Sequence, residues 1–150
     1  MRSAGYRLFG TTADVGVSAW GGSLGEVCAQ AARGMFAVLV DLRSVRAREP
    51  YPLEACGEDA GSMLVAFLNE LLFLHTTREI VLRRFEVLVA SPDRRLGTAR
   101  PHSRLRATAW GEAIEASRHT IETEIKAATY HRLLVARRNG RWRARVILDV

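Results

Sequence analysis

One helical stripe followed only by strand patterns is the strongest constraint on the fold. Apolar residues repeat at steps of one and three between residues 63 and 75, the spacing of one face of an α-helix. Asp59 is a suitable N-cap, and the helix is predicted to end near Thr77. From Phe85 onward apolar and polar residues alternate, as in strands. Successive strands without helices between them pair mainly antiparallel, so the pattern predicts an α+β fold.

The first half of the chain predicts a second helix between short strands. Ser23 and Glu26 have the spacing of a capping box, and an apolar face continues to Leu39. Residues 41–52 are polar, rich in arginine and hold two prolines, so a loop is predicted there, with a brief strand at residues 53–56. Strand, helix, strand thus occurs twice. The expected architecture is two main helices on one side of a mostly antiparallel sheet, in a single domain over residues 1–150.

Composition supports a globular protein and excludes some classes. The chain has 48% hydrophobic and 25% charged residues, and no apolar run near the roughly 20 residues that cross a bilayer. The N-terminus lacks the apolar core of a signal peptide, so a cytoplasmic protein without a membrane partner is expected. Cys28 and Cys56 form neither a disulfide framework nor a metal motif.

The charge balance permits an acidic partner. The formal net charge is +6, which allows attraction to nucleic acid or to an acidic protein surface. Aromatic residues are few and are not interleaved with the arginines along the sequence, so a stacking platform for single-stranded RNA is not predicted.

The run from Glu122 to His131 is predicted to be a strand with one apolar and one polar face. Ile125 belongs to the apolar face, and Lys126 and Tyr130 to the polar face. Lys126 stands out because every other one of the 22 basic residues is arginine. An ammonium is a compact charge with an adjustable pKa, which favours a chemical role. The alternative is an exposed lysine between two glutamates.

Asn139-Gly140 favours a two-residue hairpin turn. Extending the hairpin register places Tyr130 opposite Asp149, with Lys126 on the same face about 13 Å away. Asp149 and the oxygens of Val150 could then seat a hard cation, with Asp14 from an early turn as a second carboxylate. Alternatively, Asp14 caps its own turn and Asp149 is solvated.

Four motifs resemble those of the archease family. Thr12-Ala13-Asp14-Val15-Gly16 resembles its N-terminal signature, and Leu68-Asn69-Glu70-Leu71-Leu72 its helix motif. The run from Glu124 to His131 is similar to its most recognisable segment. Val146-Ile147-Leu148-Asp149-Val150 resembles its closing strand. The motifs occur in the family's order over almost the full chain.

The resemblance implies a partner function. Archease is a protein cofactor of the GTP-dependent RNA-splicing ligase that joins tRNA halves, and it promotes guanylylation and repeated turnover of the ligase. The resemblance implies a divalent-metal site at Asp14, Asp149 and Val150, occupied by calcium or magnesium, and a role for Lys126 in ligase activation. It also implies two interleaved strand-helix-strand-strand units.

Three further residues are candidates for supporting the metal site: Thr11, Tyr130 and His131. The family usually has histidine where this chain has Thr11, although a threonine hydroxyl can still donate to a carboxylate. Two other functions are considered. One is a small metal-dependent phosphoesterase that uses Tyr130 or His131 for proton transfer. The other is an RNA-binding or chaperone-like module that uses the arginine surface.

Overall fold

A computed structural model describes residues 3–10, 13–90 and 103–150. Within these residues the chain forms two α-helices and eight strands, and the strand pairs among them are antiparallel. Within the described residues, neither helix has the length and apolarity needed to cross a bilayer. In chain order the elements are β1 (Gly5–Gly10), β2 (Asp14–Gly21), α1 (Leu24–Leu39), a 3₁₀ turn (Leu42–Ser44), β3 (Glu49–Gly57), α2 (Ala60–Arg78), β4 (Ile80–Ala90), β5 (Ser103–Ala113), β6 (Ala127–Ala128), β7 (Leu134–Arg138) and β8 (Arg141–Asp149).

The strands divide into two sheets, and the predicted α+β class is confirmed. Sheet A has the order β1-β2-β8-β6, with β7 also paired to β8, and sheet B has the order β3-β5-β4. Sheet B is a strand-helix-strand-strand unit made of β3, α2, β4 and β5. It is inserted in a second such unit made of β2, α1, β7 and β8. The interleaved arrangement implied by the resemblance is therefore present.

Both helices lie between the sheets, each in contact with strands of both. Both helices begin at the predicted caps: the Ser23 hydroxyl accepts from the Glu26 N–H, and Asp59 forms a reciprocal capping box with Ser62. The predicted box of Ser23 is only half formed, because the Glu26 carboxylate accepts from the Gly22 N–H instead. Phe36, Phe67, Leu68 and Leu148 are among the fully buried side chains. This shared core fixes sheet A relative to sheet B, since α1 and α2 bury side chains against both.

The predicted loop over residues 41–52 is wrong for its last part, because β3 begins at Glu49 and includes Pro50 and Pro52. Proline has no N–H to donate, which excludes it from central strands but not from an edge. Among the described strands β3 is such an edge, since it pairs only with β5.

The predicted strand from Glu122 to His131 is also mostly wrong. Only Ala127 and Ala128 pair with β8. The preceding residues still alternate, with Ile121 and Ile125 packed against the core and Glu122 exposed. The N–H of Glu122 donates to the carbonyl of Leu39 at the end of α1. The segment is thus extended but has no neighbouring strand there.

Candidate functional site

Two carboxylates meet at one end of sheet A. Asp14 is the first residue of β2, Asp149 is the last residue of β8, and the two are direct partners in the antiparallel register. Directly opposed residues have Cβ atoms about 4.5–5.5 Å apart and project from the same face. The predicted proximity of the two acids is confirmed, while their metal-binding role remains a prediction.

Lys126 lies beside Asp149. Its backbone N–H donates to the Asp149 carbonyl oxygen at 2.7 Å, and the next residue, Ala127, is the register partner of Asp149. Its side chain is exposed and forms no salt bridge with any residue that the structure describes. The lone ammonium is therefore available to a partner next to the two carboxylates.

The predicted pairing of Tyr130 with Asp149, and the separation of about 13 Å from Asp149 to Lys126, are wrong. The hairpin register holds from the Asn139-Gly140 turn out to Leu134, which pairs with Arg145 as expected. A turn follows, closed by a bond from the Leu133 N–H to the Tyr130 carbonyl. This turn shifts the register, so Ala128 pairs with Leu148 and Lys126 lies beside Asp149.

Asn69 of α2 fixes the short strand β6 from the opposite side. Its side-chain amide donates to the Ala128 carbonyl at 3.1 Å, and its side-chain oxygen accepts from the Ala128 N–H at 2.8 Å. The side chain thus replaces a neighbouring strand for this residue. Sequence reasoning gave Asn69 no role beyond its motif, although a polar residue beside a buried helical stripe was a signal.

His131 is placed close to Asp14 by the turn that shifts the register. Thr129 anchors the turn, its hydroxyl donating to the Ile147 carbonyl at 2.8 Å, and Arg132 adopts a positive φ of 51°. His131 and Asp14 then line one cavity of about 510 Å³ together with Phe9 and Arg145. His131 thus lines the same cavity as Asp14, and its supporting role at a metal site stays a prediction.

The other candidates differ in position. Tyr130 is 63% exposed and lines a separate depression with Asp59 and Leu133. Val150 is half-buried and packs its side chain against the core. Thr11 lies outside the described residues. The structure therefore brings His131, but not the ring of Tyr130, to the cavity that holds Asp14.

Hard cations such as calcium and magnesium prefer carboxylate and carbonyl oxygens, which are the donors of Asp14, Asp149 and Val150. No cluster of three or more Asp, Glu, His or Cys residues able to hold a metal occurs in the described ranges 3–10, 13–90 and 103–150. The two carboxylates fit a hard cation as a partial ligand set. Backbone oxygens, water or a partner would supply the remaining ligands.

A buried charged cluster was missed by the sequence reasoning. Glu112 is 6% exposed and accepts from the guanidinium of Arg118 at 2.6 Å and from Nε2 of His119 at 3.1 Å. It also accepts from the Arg46 N–H at 2.6 Å. Chiefly because of the Arg118 hydrogen bond, the pKa of Glu112 is lowered to about 2. The cluster fastens the loop before β3 to the end of β5.

Comparison with known proteins gives one consistent match. Residues 6–150 match the model of the Archease protein family. The chain is 38% identical to "Protein archease" of Methanothermobacter thermautotrophicus, over 97% of this chain and 99% of that protein. It is 34% identical to "Protein archease" of Pyrococcus abyssi, over 93% of this chain and 94% of that one.

Two solved structures share the fold. The solution structure of Methanobacterium thermoautotrophicum protein 1598 has a TM-score of 0.82 at 37% identity, covering 97% of this chain and 99% of that one. The crystal structure of an archease from Thermotoga maritima, described as a "possible chaperone", has a TM-score of 0.50 at 20% identity, covering 100% of this chain and 98% of that one. The second likeness supports the fold alone.

Proposed function

This chain belongs to the archease family, and from that premise we propose that it activates the GTP-dependent RNA ligase of tRNA splicing. It would act as a protein cofactor that promotes guanylylation and repeated turnover of the ligase, rather than as an enzyme. The observation that carries the proposal is the convergence of Asp14, Asp149 and Lys126 at one end of sheet A.

In this proposal Asp14, Asp149 and the backbone oxygens of Val150 hold calcium or magnesium. When bound, such a cation neutralises phosphate charge. The partial ligand set supports a shared site, because a cation with incomplete protein ligands can still accept phosphate or ligase oxygens. The β2–β8 ladder holds the backbones of Asp14 and Asp149 opposite each other, so both side chains start from one place when the ligase arrives.

Lys126 supplies a positive charge whether or not a metal ion is bound. Guanylylation transfers GMP from GTP to the ligase and releases pyrophosphate, so negative charge builds up on the leaving phosphates. An ammonium aimed at that charge stabilises the transition state. The backbone bond to Asp149 and the two bonds from Asn69 to Ala128 hold the chain around Lys126 in place. Only the side chain remains mobile enough to reach a partner.

A guanylylation assay with the purified ligase and radiolabelled GTP tests the proposal. Asp149→Asn and Lys126→Ala are each expected to reduce the stimulated rate by at least about tenfold, the scale of losing one electrostatic contact to the transition state. Glu86→Gln is the matched control, since Glu86 is an exposed carboxylate on β4 of sheet B. Stimulation that survives both site substitutions would refute the proposed site.

An assay of phosphate-ester hydrolysis by the purified protein, without the ligase, tests the enzymatic alternative. His131 beside Asp14 is the group that could transfer a proton in a phosphoesterase. Hydrolysis of phosphate esters by the purified protein alone, lost in His131→Ala, would favour that function. The proposed activator shows no such turnover.

A further inference from the structure

The outer face of sheet A points away from the helices, and apart from Asp14 and Asp149 at one end its residues have no part in the proposed activation. Val17 and Ala19 of β2 and Val146 of β8 are buried against the helices. Their neighbours along each strand therefore project outward. The outward positions form rows across β1, β2 and β8, with Gly5, Trp20 and Arg143 in one row and Arg7, Ser18 and Arg145 in the next.

Two aromatic rings of this outer face rest on glycines of a neighbouring strand. A Cβ atom at Gly5 would lie 2.7 Å from Cζ2 of Trp20, and one at Gly16 would overlap the ring of Phe9. Both glycines are therefore needed for the rings to lie across the neighbouring strand. Phe9 is 37% exposed and Trp20 is half-buried. Each ring thus has one side on the sheet and surface left toward solvent.

Arginines lie around both rings, and one carboxylate, Asp14, lies beside Phe9. Trp20 lines a cavity of about 350 Å³ with Arg138, Arg141 and Arg143. Phe9 lines the cavity of about 510 Å³ that also contains Arg145 and Asp14. In the described strands of sheet A, Asp14 and Asp149 are the only acidic residues. Arg7 and Arg143 form no salt bridge within the described parts of the chain.

We propose that the outer face of sheet A binds single-stranded RNA, with bases stacked on Trp20 and Phe9 and phosphates paired with Arg7, Arg143 and Arg145. An aromatic ring offers a π-face to any base, and the neighbouring guanidiniums neutralise the backbone. The absence of interleaving along the sequence argued against such a platform. The sheet supplies the interleaving instead, because β1, β2 and β8 bring distant residues into adjacent rows.

The length of this outer face suits a short segment of single-stranded RNA. From the row of Trp20 to the row of Asp14 is six residues along β2, or roughly 20 Å at 3.3 Å per residue. A single strand running along this path begins at the Trp20 cavity, crosses Arg7 and Arg145, and ends beside Asp14 and Asp149. This contact goes beyond the proposed activation of the ligase, because it gives the protein an RNA contact of its own.

Fluorescence anisotropy with a labelled single-stranded RNA of about 12 nucleotides, a length within the site sizes of such surfaces, tests this proposal over a range of salt. The probe for charge alone is inorganic polyphosphate, which has no bases. Trp20→Ala is expected to weaken RNA binding about tenfold and to leave polyphosphate binding unchanged. Trp20→Phe keeps a ring and should restore most of the RNA affinity.

The double variant Arg143→Ala/Arg145→Ala should weaken the binding of both RNA and polyphosphate. It should also lower the slope of log affinity against log salt concentration for RNA by about 1.4, the effect of two lost phosphate contacts on a single strand. Its matched control is Arg104→Ala/Arg106→Ala, which removes two exposed arginines at the same spacing from β5 of sheet B. That control should keep the wild-type affinity and slope.

Three outcomes would overturn the proposal. Wild-type protein that does not bind the RNA at low salt has no such surface. Equal losses of RNA affinity in the sheet A and sheet B double variants would show that net charge alone causes the binding. Losses in the arginine variant without any in Trp20→Ala indicate a surface for an acidic protein. Ligase guanylylation depends on Asp149 and Lys126 instead, so each of these results is separable from the proposed activation.

Discussion

At the scale of the residue, one backbone bond decides where the lone lysine lies. The Lys126 N–H donates to the Asp149 carbonyl at 2.7 Å, and Asp149 faces Asp14 across the β2–β8 ladder. The identity of these three residues was predicted from the sequence. The distance from Lys126 to Asp149 was predicted wrongly, because a turn before β7 changes the register by which the hairpin partner of Asp149 was assigned.

Glu112 is the residue whose charge matters most to the fold. Its carboxylate binds Arg118, His119 and the Arg46 N–H while only 6% exposed. Glu112→Gln should lower the free energy of unfolding at neutral pH by about 2–3 kcal/mol, since buried donors lose a charged acceptor. Urea unfolding followed by circular dichroism measures the loss. Glu86→Gln, at an exposed site on β4, should stay within about 0.5 kcal/mol of wild type.

The same variant tests the pH dependence of stability that follows from the low pKa of Glu112. The pKa of Glu112 is lowered to about 2 by the Arg118 hydrogen bond, and an unfolded glutamate has a pKa of about 4.3. A depressed pKa stabilises the fold above the unfolded value, and that stabilisation is lost as the pH falls through the folded value. The advantage of wild type over Glu112→Gln should be full above about pH 5 and vanish near pH 2. A difference that is constant over this range would contradict the assignment.

At the scale of the element, sequence patterns predicted the helices better than the strands. The apolar stripe and Asp59 placed α2 correctly, because a helix is stabilised by neighbours three and four residues away. β3 and β6 depend on distant partners. Pro50 and Pro52 are tolerated because β3 is an edge strand, and within the segment Ala127 and Ala128 are the residues that pair with β8 as a strand. Neither fact is written in the local sequence.

The link between α2 and β6 is a further consequence that local patterns do not give. Asn69 satisfies both backbone groups of Ala128, so Asn69→Leu would leave a buried N–H and a buried C=O without partners. The expected cost is about 2–4 kcal/mol in the free energy of unfolding. Hydrogen exchange of the Ala128 amide should accelerate, and ligase stimulation should fall because the chain around Lys126 is no longer held.

Glu70→Gln is the control for that substitution, because Glu70 is the next residue of the helix and is exposed. It should change neither stability nor exchange at Ala128. If Asn69→Leu lowers global stability while ligase stimulation stays intact, the hydrogen bonds of Asn69 hold the fold but do not position Lys126.

At the scale of the whole molecule, the interleaved topology joins the site to the entire core. β2 and β8 come from opposite ends of the described chain, and the strand-helix-strand-strand unit of β3, α2, β4 and β5 lies between them in sequence. Each helix contacts strands of both sheets, so neither unit can bury its apolar face alone. The four resembling motifs predicted where the acids would meet, but only the complete pairing of the two units brings them together.

This coupling predicts that a cation at Asp14 and Asp149 stabilises the molecule as one unit. Anything that binds only the folded state adds about 2.7 kcal/mol at one hundred times its dissociation constant. Calcium or magnesium at that excess should move the whole urea transition, with far-UV and tryptophan signals shifting together and an unchanged m-value, since the same surface is exposed on unfolding. Asp149→Asn should abolish the shift, whereas Glu86→Gln should retain it. A shift confined to one signal would show that sheet A unfolds separately from sheet B, and no shift with either cation would exclude the metal site itself.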